Sequence, residues 1–221
     1  MTARSLCLIV AISCLNIIFC QQNEPQKMVE YTTDYKFTDG IFLYFDQVKT
    51  NTPLPKTRII TTVNYDHPQF FDILLNNKQI SYYDNLGQQN SLLTKDIWGY
   101  ANNGVLYIKN NNSFSRITLV GSISHFVSSY TTYNTTPSVS YGNPYYSSTN
   151  NYPSTEMRQY ILDFSTGKVY DYTVENLMIL FMKDTELYDE YNSLRKKKKR
   201  QQKFIFLRKF NERNPLMVPV R

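Results

Sequence analysis

Cysteine is missing from the chain beyond residue 20; Cys7, Cys14 and Cys20 are the only three. A body without thiols has no disulfide framework, no thiol nucleophile and no cysteine metal site, so it must be held by an apolar core. Histidine is nearly as scarce. His67 and His125 lie far apart in sequence, and no HExxH spacing joins them. This excludes the common zinc-hydrolase pattern. With seven glycines in 221 residues, no GxGxxG or P-loop exists to cradle a phosphate. "GSISH" at 121–125 lacks the second glycine that a nucleophile elbow needs for its sharp turn. Neither Gly nor Pro occurs between Lys168 and Pro215, so a long helix is allowed there. Nothing in these motifs calls for a metal or a cofactor.

What is present begins with the N-terminus. Arg4 is followed by an apolar run from Leu6 to Phe19. Fourteen residues are too few to span a bilayer, which takes about 20, and the pattern predicts a secretory signal peptide over 1–20. Cys20 is the candidate for lipid attachment. Phe19 is bulkier than the residue a lipidation signal carries before its cysteine, so plain export to the periplasm or cell surface is the preferred reading.

Charge is concentrated in one tract. Ten of the 24 basic residues lie between Arg195 and Arg213, with one acid, Glu212. The whole chain nets +6, so the remainder of the protein is mildly acidic.

The expected fold class is α+β: a curved, antiparallel β-meander sheet with two C-terminal helices, the second long and basic. Residues 21–38 read as a flexible leader and 39–221 as one domain. Strands are predicted at 39–48, 57–63, 70–75, 79–83, 96–100, 105–109, 114–120 and 123–127, with Asn and Gly turns between them. The stretch 128–155 holds Ser, Thr, Asn, Tyr and Pro with Val139 as its single aliphatic residue, and is expected to be a disordered loop. "RQYILDFSTGKVYDYT" at 158–173 is a hairpin. Val174, Leu177, Met178 and Phe181 then take helical spacing behind Thr173 as N-cap. Asp184 caps a second helix over about 185–212.

On that second helix six consecutive basic residues wrap the circumference, and no side of them can face an apolar core without burying a charge. Arg195–Lys203 is therefore expected to stand clear of the sheet. Phe204, Ile205, Leu207 and Phe210 are expected to return to contact with the body or with a partner. The candidate contact with an anionic surface comprises Arg195, Lys196, Lys197, Lys198, Lys199, Arg200, Lys203, Arg208 and Lys209. Trp98 and Tyr100 form the candidate aromatic contact, with core packing as the competing reading.

Five segments taken together, "DGIFLYF" at 39–45, "WGYANNGVLYI" at 98–108, "QYILDFSTGKVYDYT" at 159–173, "DTELYDEY" at 184–191 and "FNERNPLMVP" at 210–219, resemble a family of small exported proteins from Bacteroidota bacteria. The resemblance implies an exported bacterial protein and brings no catalytic residues.

The expected function is a non-enzymatic binding or scaffold domain of the cell envelope. Its partner would be an envelope protein or an anionic envelope surface. Binding of acidic lipid or lipopolysaccharide through the basic helix, and a carbohydrate-active enzyme using strand-end carboxylates, are the alternatives. A nucleic-acid partner is not expected for an exported chain.

Overall fold

The computed structural model describes residues 26–111, 113–137 and 149–220. In chain order the elements are β1 (Met28–Glu30), β2 (Gly40–Phe42), α1 (Phe45–Lys49), β3 (Ile59–Ile60), α2 (Phe70–Leu75), β4 (Gln79–Tyr83) and β5 (Gln89–Leu93). They continue with β6 (Gly99–Asn102), β7 (Val105–Asn110), β8 (Ser113–Leu119), β9 (Ile123–Pro137), β10 (Thr149–Asp163) and β11 (Lys168–Asp171). Three helices follow, α3 (Val174–Phe181), α4 (Thr185–Ser193) and α5 (Lys196–Arg213), and then β12 (Met217–Pro219).

The frame is an antiparallel sheet of seven strands in the order β11-β10-β9-β8-β7-β6-β2. Alternation along its strands sends residues to two faces. Ala101, Leu106, Ile108, Phe126, Tyr160 and Leu162 fill a core on one face. The sheet curls around this core, and Phe37, Leu216 and Val218, from the two ends of the chain, pack into it. The opposite face carries two further cores. Ile41 and Tyr100 pack with α2 and β3–β4 at one end, and Ile123 and Ile161 pack under α3–α5 at the other.

Several segments differ from the sequence expectation, each for a physical reason. Residues 26–38 are fixed, because β1 pairs with β12 and Tyr35 donates its hydroxyl to the Pro219 carbonyl. The strand expected at 39–48 ends at Phe42, and α1 follows. The Gln47 amide oxygen accepts the Leu43 N–H and turns the chain there. Residues 70–75 are helical, since Phe70, Phe71, Leu74 and Leu75 are all buried on one side of a turn-and-a-half.

Residues 128–137 and 149–155 continue β9 and β10 as a paired ladder, where a loop was expected. Thr and Tyr are good strand residues even when no apolar face is buried. Cross-strand contacts supply part of the stabilisation: Thr131 meets Thr155 at 3.1 Å, and the Arg158 guanidinium lies 3.7 Å from the Tyr130 ring centre. The centre of the expected loop, 138–148, lies outside the described residues, as do the signal segment 1–20 and Cys20.

The second C-terminal helix is divided in two. Leu194 and Arg195 have extended backbone, with ψ of 144° and 149°. Leu187 and Tyr191 form one buried stripe, and Phe206, Leu207 and Phe210 another. At about 100° per residue these two stripes do not line up on one straight helix. The break lets both face the same core. It also folds α5 back along α4: Arg213 reaches Asp184 at 2.6 Å and Glu186 at 2.7 Å. Asp184 and Arg213 are 29 residues apart. On one continuous helix they would be separated by about 44 Å. Arg213→Ala should therefore loosen the helical hairpin and lower stability. Urea unfolding of the variant measures this.

Candidate functional site

Helix α5 has two sides. Phe206, Leu207 and Phe210 are buried against α3 and α4. Opposite them, within an arc of about 120° at 100° per residue, stand Lys197, Lys198, Gln201, Phe204, Ile205 and Arg208. All six are exposed.

The nine candidate basic residues divide into an exposed set and an engaged set. Arg195, Lys196, Lys197, Lys198, Arg200 and Arg208 are exposed, and none makes an ion pair among the described residues. Lys196 and Arg200 lie near enough to Glu175 to add a minor attraction to the hydrogen bonds that hold its carboxyl below the ordinary value. Lys199, Lys203 and Lys209 are half-buried and engaged. Lys199 donates to Asn192 Oδ1 at 2.9 Å, and Lys203 donates to the Tyr172 carbonyl at 2.7 Å with its ammonium 4.0 Å from the Tyr172 ring centre. Lys209 pairs with Glu190. The expectation that the whole tract stands clear of the body is thus corrected. Aliphatic stems lie along the core while the ammonium groups find carbonyls and rings at its edge. Ile205 is likewise not returned to the core, and Phe204 only in part: one side of its ring meets that of buried His125 and the rest is exposed. Phe206 takes the inward position because the break at Leu194 resets the helical phase.

The start of α5 is electrostatically unfavourable. Its N-cap, Arg195, provides no side-chain hydrogen bond, and its first turn contains no acid. Five cations, Lys196 to Arg200, occupy the end where the helix dipole is positive, each disfavoured by a few tenths of a kcal/mol to about 1. Lys199 aside, internal packing gives no reason for this clustering.

Beneath α5 lies a polar cluster that sequence reasoning did not single out. His125 is buried. Its ring nitrogens are 3.2 Å from Gln159 Oε1 and 3.3 Å from Thr118 Oγ1, and its ring meets those of Tyr172 and Phe204 edge-on. Burial and the nearby Lys203 charge push the His125 pKa down, against a smaller upward pull from Gln159. A depressed histidine is neutral in the fold and more readily protonated when unfolded. Its contribution to stability is whole above the unfolded pKa of about 6.5 and is lost as pH falls below that. The melting temperature should therefore begin to drop below about pH 6.5. His125→Gln should remove that upper limb of the pH profile.

The Tyr172 hydroxyl, buried in the same region, has no hydrogen-bond partner among the described residues. An orphaned buried hydroxyl destabilises the fold. Tyr172→Phe keeps the ring under Lys203 and should raise unfolding stability by about 1 kcal/mol. Denaturant titration checks the sign.

A second candidate is a cleft of 320 Å³ lined by Asp163, Phe164, Ser165, Lys183, Phe210 and Met217, among others. Lys183 Nζ donates to both Asp163 oxygens at 2.9 Å and to Ser165 Oγ at 2.8 Å. Ser165 and Thr166 also donate to Asp163. Burial alone would raise the Asp163 carboxyl, but these donors outweigh it and hold the carboxyl below its ordinary value. A serine–lysine nucleophile needs a neutral, desolvated amine as base. Here the lysine is half-exposed and paired to a carboxylate, and the serine gives its proton to that carboxylate. All three ammonium hydrogens are used. The cluster closes the β10–β11 turn and offers no base to a substrate.

The aromatic candidates are core residues. Tyr100 is 4% exposed and stacks on Tyr107 at 4.6 Å, and its hydroxyl donates to Asp72. Trp98 is half-buried against Phe42 and Phe45. Of the strand-end carboxylates, Asp39 accepts the Gly104 N–H and Asp84 the N–H groups of Leu86 and Gln88. They brace turns. Among the described residues no group of three His, Cys, Asp or Glu side chains could hold a metal, and no helix is long and apolar enough to cross a membrane.

Comparison of the chain with models of known families, with curated proteins and with solved structures returned no match.

Proposed function

We propose that this protein is a non-enzymatic binding domain of the cell envelope, and that the outward side of α5 is where it engages an anionic partner. The observation that carries this reading is a set of cations, Arg195, Lys197, Lys198 and Arg208, exposed along one helix without ion pairs among the described residues. They sit on a protein whose remainder is mildly acidic. Fixed, unpaired charge on a rigid helix gives a field that attracts polyanions and releases their counterions on contact. The signal-peptide pattern at 1–20 supports export, which sets the contact at the envelope and away from the chromosome.

Salt dependence tests the reading. A short DNA duplex serves as a generic polyanion of known charge density. Each phosphate neutralised contributes about −0.9 to the slope of log K against log salt concentration. With four to six cations in contact, a slope between about −3.5 and −5.5 is expected. A slope near zero, or no binding at low salt, would contradict the proposal.

A further inference from the structure

The basic side of α5 is not only basic. Phe204 is 43% exposed and Ile205 61% exposed, although the helix buries Phe206 and Leu207 immediately after them. Ile205 shares the outward arc with Lys197, Lys198 and Arg208, and Phe204 stands at the edge of that arc, one side of its ring against His125 and the rest exposed. At 1.5 Å per residue, Lys197 and Lys198 stand about 10 Å before them along the axis, and Arg208 about 5 Å after. The Arg208 guanidinium lies 5.7 Å from the Phe204 ring centre. The order along the surface is cations, then two bulky apolar groups, then a cation. Glu212 falls on the same side one turn further on, where the cationic stretch ends.

We infer that this side of α5 lies flat on a bilayer containing anionic lipid, with Phe204 and Ile205 entering the boundary between headgroups and acyl chains. This rests on the reading of α5 as an anion-binding surface and names the partner. Helices that lie in the bilayer interface combine lysine and arginine with Phe, Leu or Ile, because headgroup phosphates take the charges and the acyl boundary takes the apolar groups. A soluble polyanion satisfies only the first half of that pattern. It offers Phe204 and Ile205 no apolar phase, so their exposure would remain uncompensated. Charge complementarity selects the lipid as well. Each lysine or arginine near an anionic surface adds a similar increment of attraction, and several acting together hold a helix against it. The rest of α5 permits this orientation: its buried stripe stays on the α3–α4 core, and the outward arc presents backbone hydrogen bonds already made within the helix.

The experiment uses the full chain and two probes: the DNA duplex, and sedimented vesicles of phosphatidylcholine with 30% or no phosphatidylglycerol. We expect binding to the anionic vesicles and little to the neutral ones. Phe204→Ser with Ile205→Ser should weaken vesicle binding at least tenfold and change duplex binding by less than twofold. Ile205→Trp adds a reporter to the half-buried Trp98; its emission should shift to shorter wavelength with anionic vesicles and stay unshifted with the duplex. If the serine variant binds vesicles as well as the parent does, or the emission of Ile205→Trp does not move while the protein sediments, the bilayer inference is overturned and the anion-binding reading stands. If neither probe binds, both fall.

Discussion

Lys183→Met should destabilise the protein by about 3 kcal/mol, more than Asp163→Asn, which should cost about 1 to 2. The asymmetry follows from exposure. The Asp163 side chain is 4% exposed and that of Lys183 46%. Removing the lysine strands a carboxylate in the protein with only Ser165 and Thr166 as donors. Removing the acid charge leaves an ammonium that water already reaches. Because the two groups act as a unit, the double variant should be milder than the sum of the single ones, and close to Lys183→Met alone or better. The pH profile gives an independent check. The Asp163 carboxyl is held below its ordinary value in the fold, so its contribution is present above the unfolded pKa of about 4 and is lost as pH falls through the folded value. In Lys183→Met that loss should begin at higher pH. Denaturant unfolding of the four proteins at pH 7 and pH 4 reads both. A Lys183→Met effect below about 1 kcal/mol would mean that the cluster is not a structural clasp, and would reopen its serine to other roles.

The second large effect is on binding. Reversing Lys197, Lys198 and Arg208 to Glu should abolish polyanion and vesicle binding at 50 mM salt, a loss of at least a hundredfold. Three reversed contacts remove attraction and add repulsion at each position. Reversal of Lys36, Lys78 and Lys95, also exposed, changes net charge equally; Lys78 and Lys95 flank the β4–β5 hairpin and Lys36 lies against the β6–β7 turn at Gly104. It should weaken binding by no more than a few-fold. If the two triple variants behave alike, binding follows net charge and has no location. None of the six residues packs in a core, so unfolding midpoints should stay near that of the parent. For Lys197 and Lys198 a small gain is expected, since acids replace cations at the positive end of the α5 dipole.

Much of this architecture is legible in the sequence, and what is not has a physical cause. The meander from β6 to β9, the 158–173 hairpin and the first C-terminal helix follow from alternation, Asn-Gly turns and a Thr cap, all local signals. The long β9–β10 ladder was not legible from composition, because its outer half is stabilised by cross-strand Thr, Tyr and Arg contacts with no apolar face to announce them. The division of α4 from α5 was hidden for another reason. No Gly or Pro marks it, and the cause is tertiary: Tyr191 and Phe206–Phe210 must reach one core, with the Tyr191 hydroxyl donating to the Lys199 carbonyl across the bend. That division decides the site. On a continuous helix Ile205 would extend the buried stripe of Leu187 and Tyr191. With the phase reset it faces outward among lysines. The basic residues were identifiable from sequence, but their separation into engaged and free sets, and the apolar pair between the free ones, depend on the bend.

Amide hydrogen exchange on the native chain, with and without anionic vesicles, locates the contact directly. The first amides of α5 have no intrahelical acceptor and no side-chain cap, so in the free protein they should exchange quickly. On vesicles, slowed exchange is expected across Arg195–Arg208, with the β10–β11 turn and the 320 Å³ cleft beside it unchanged. Unchanged exchange in α5 while the protein is bound, or protection centred on the cleft or the β9–β10 hairpin, would show that the outward side of α5 is not the binding surface.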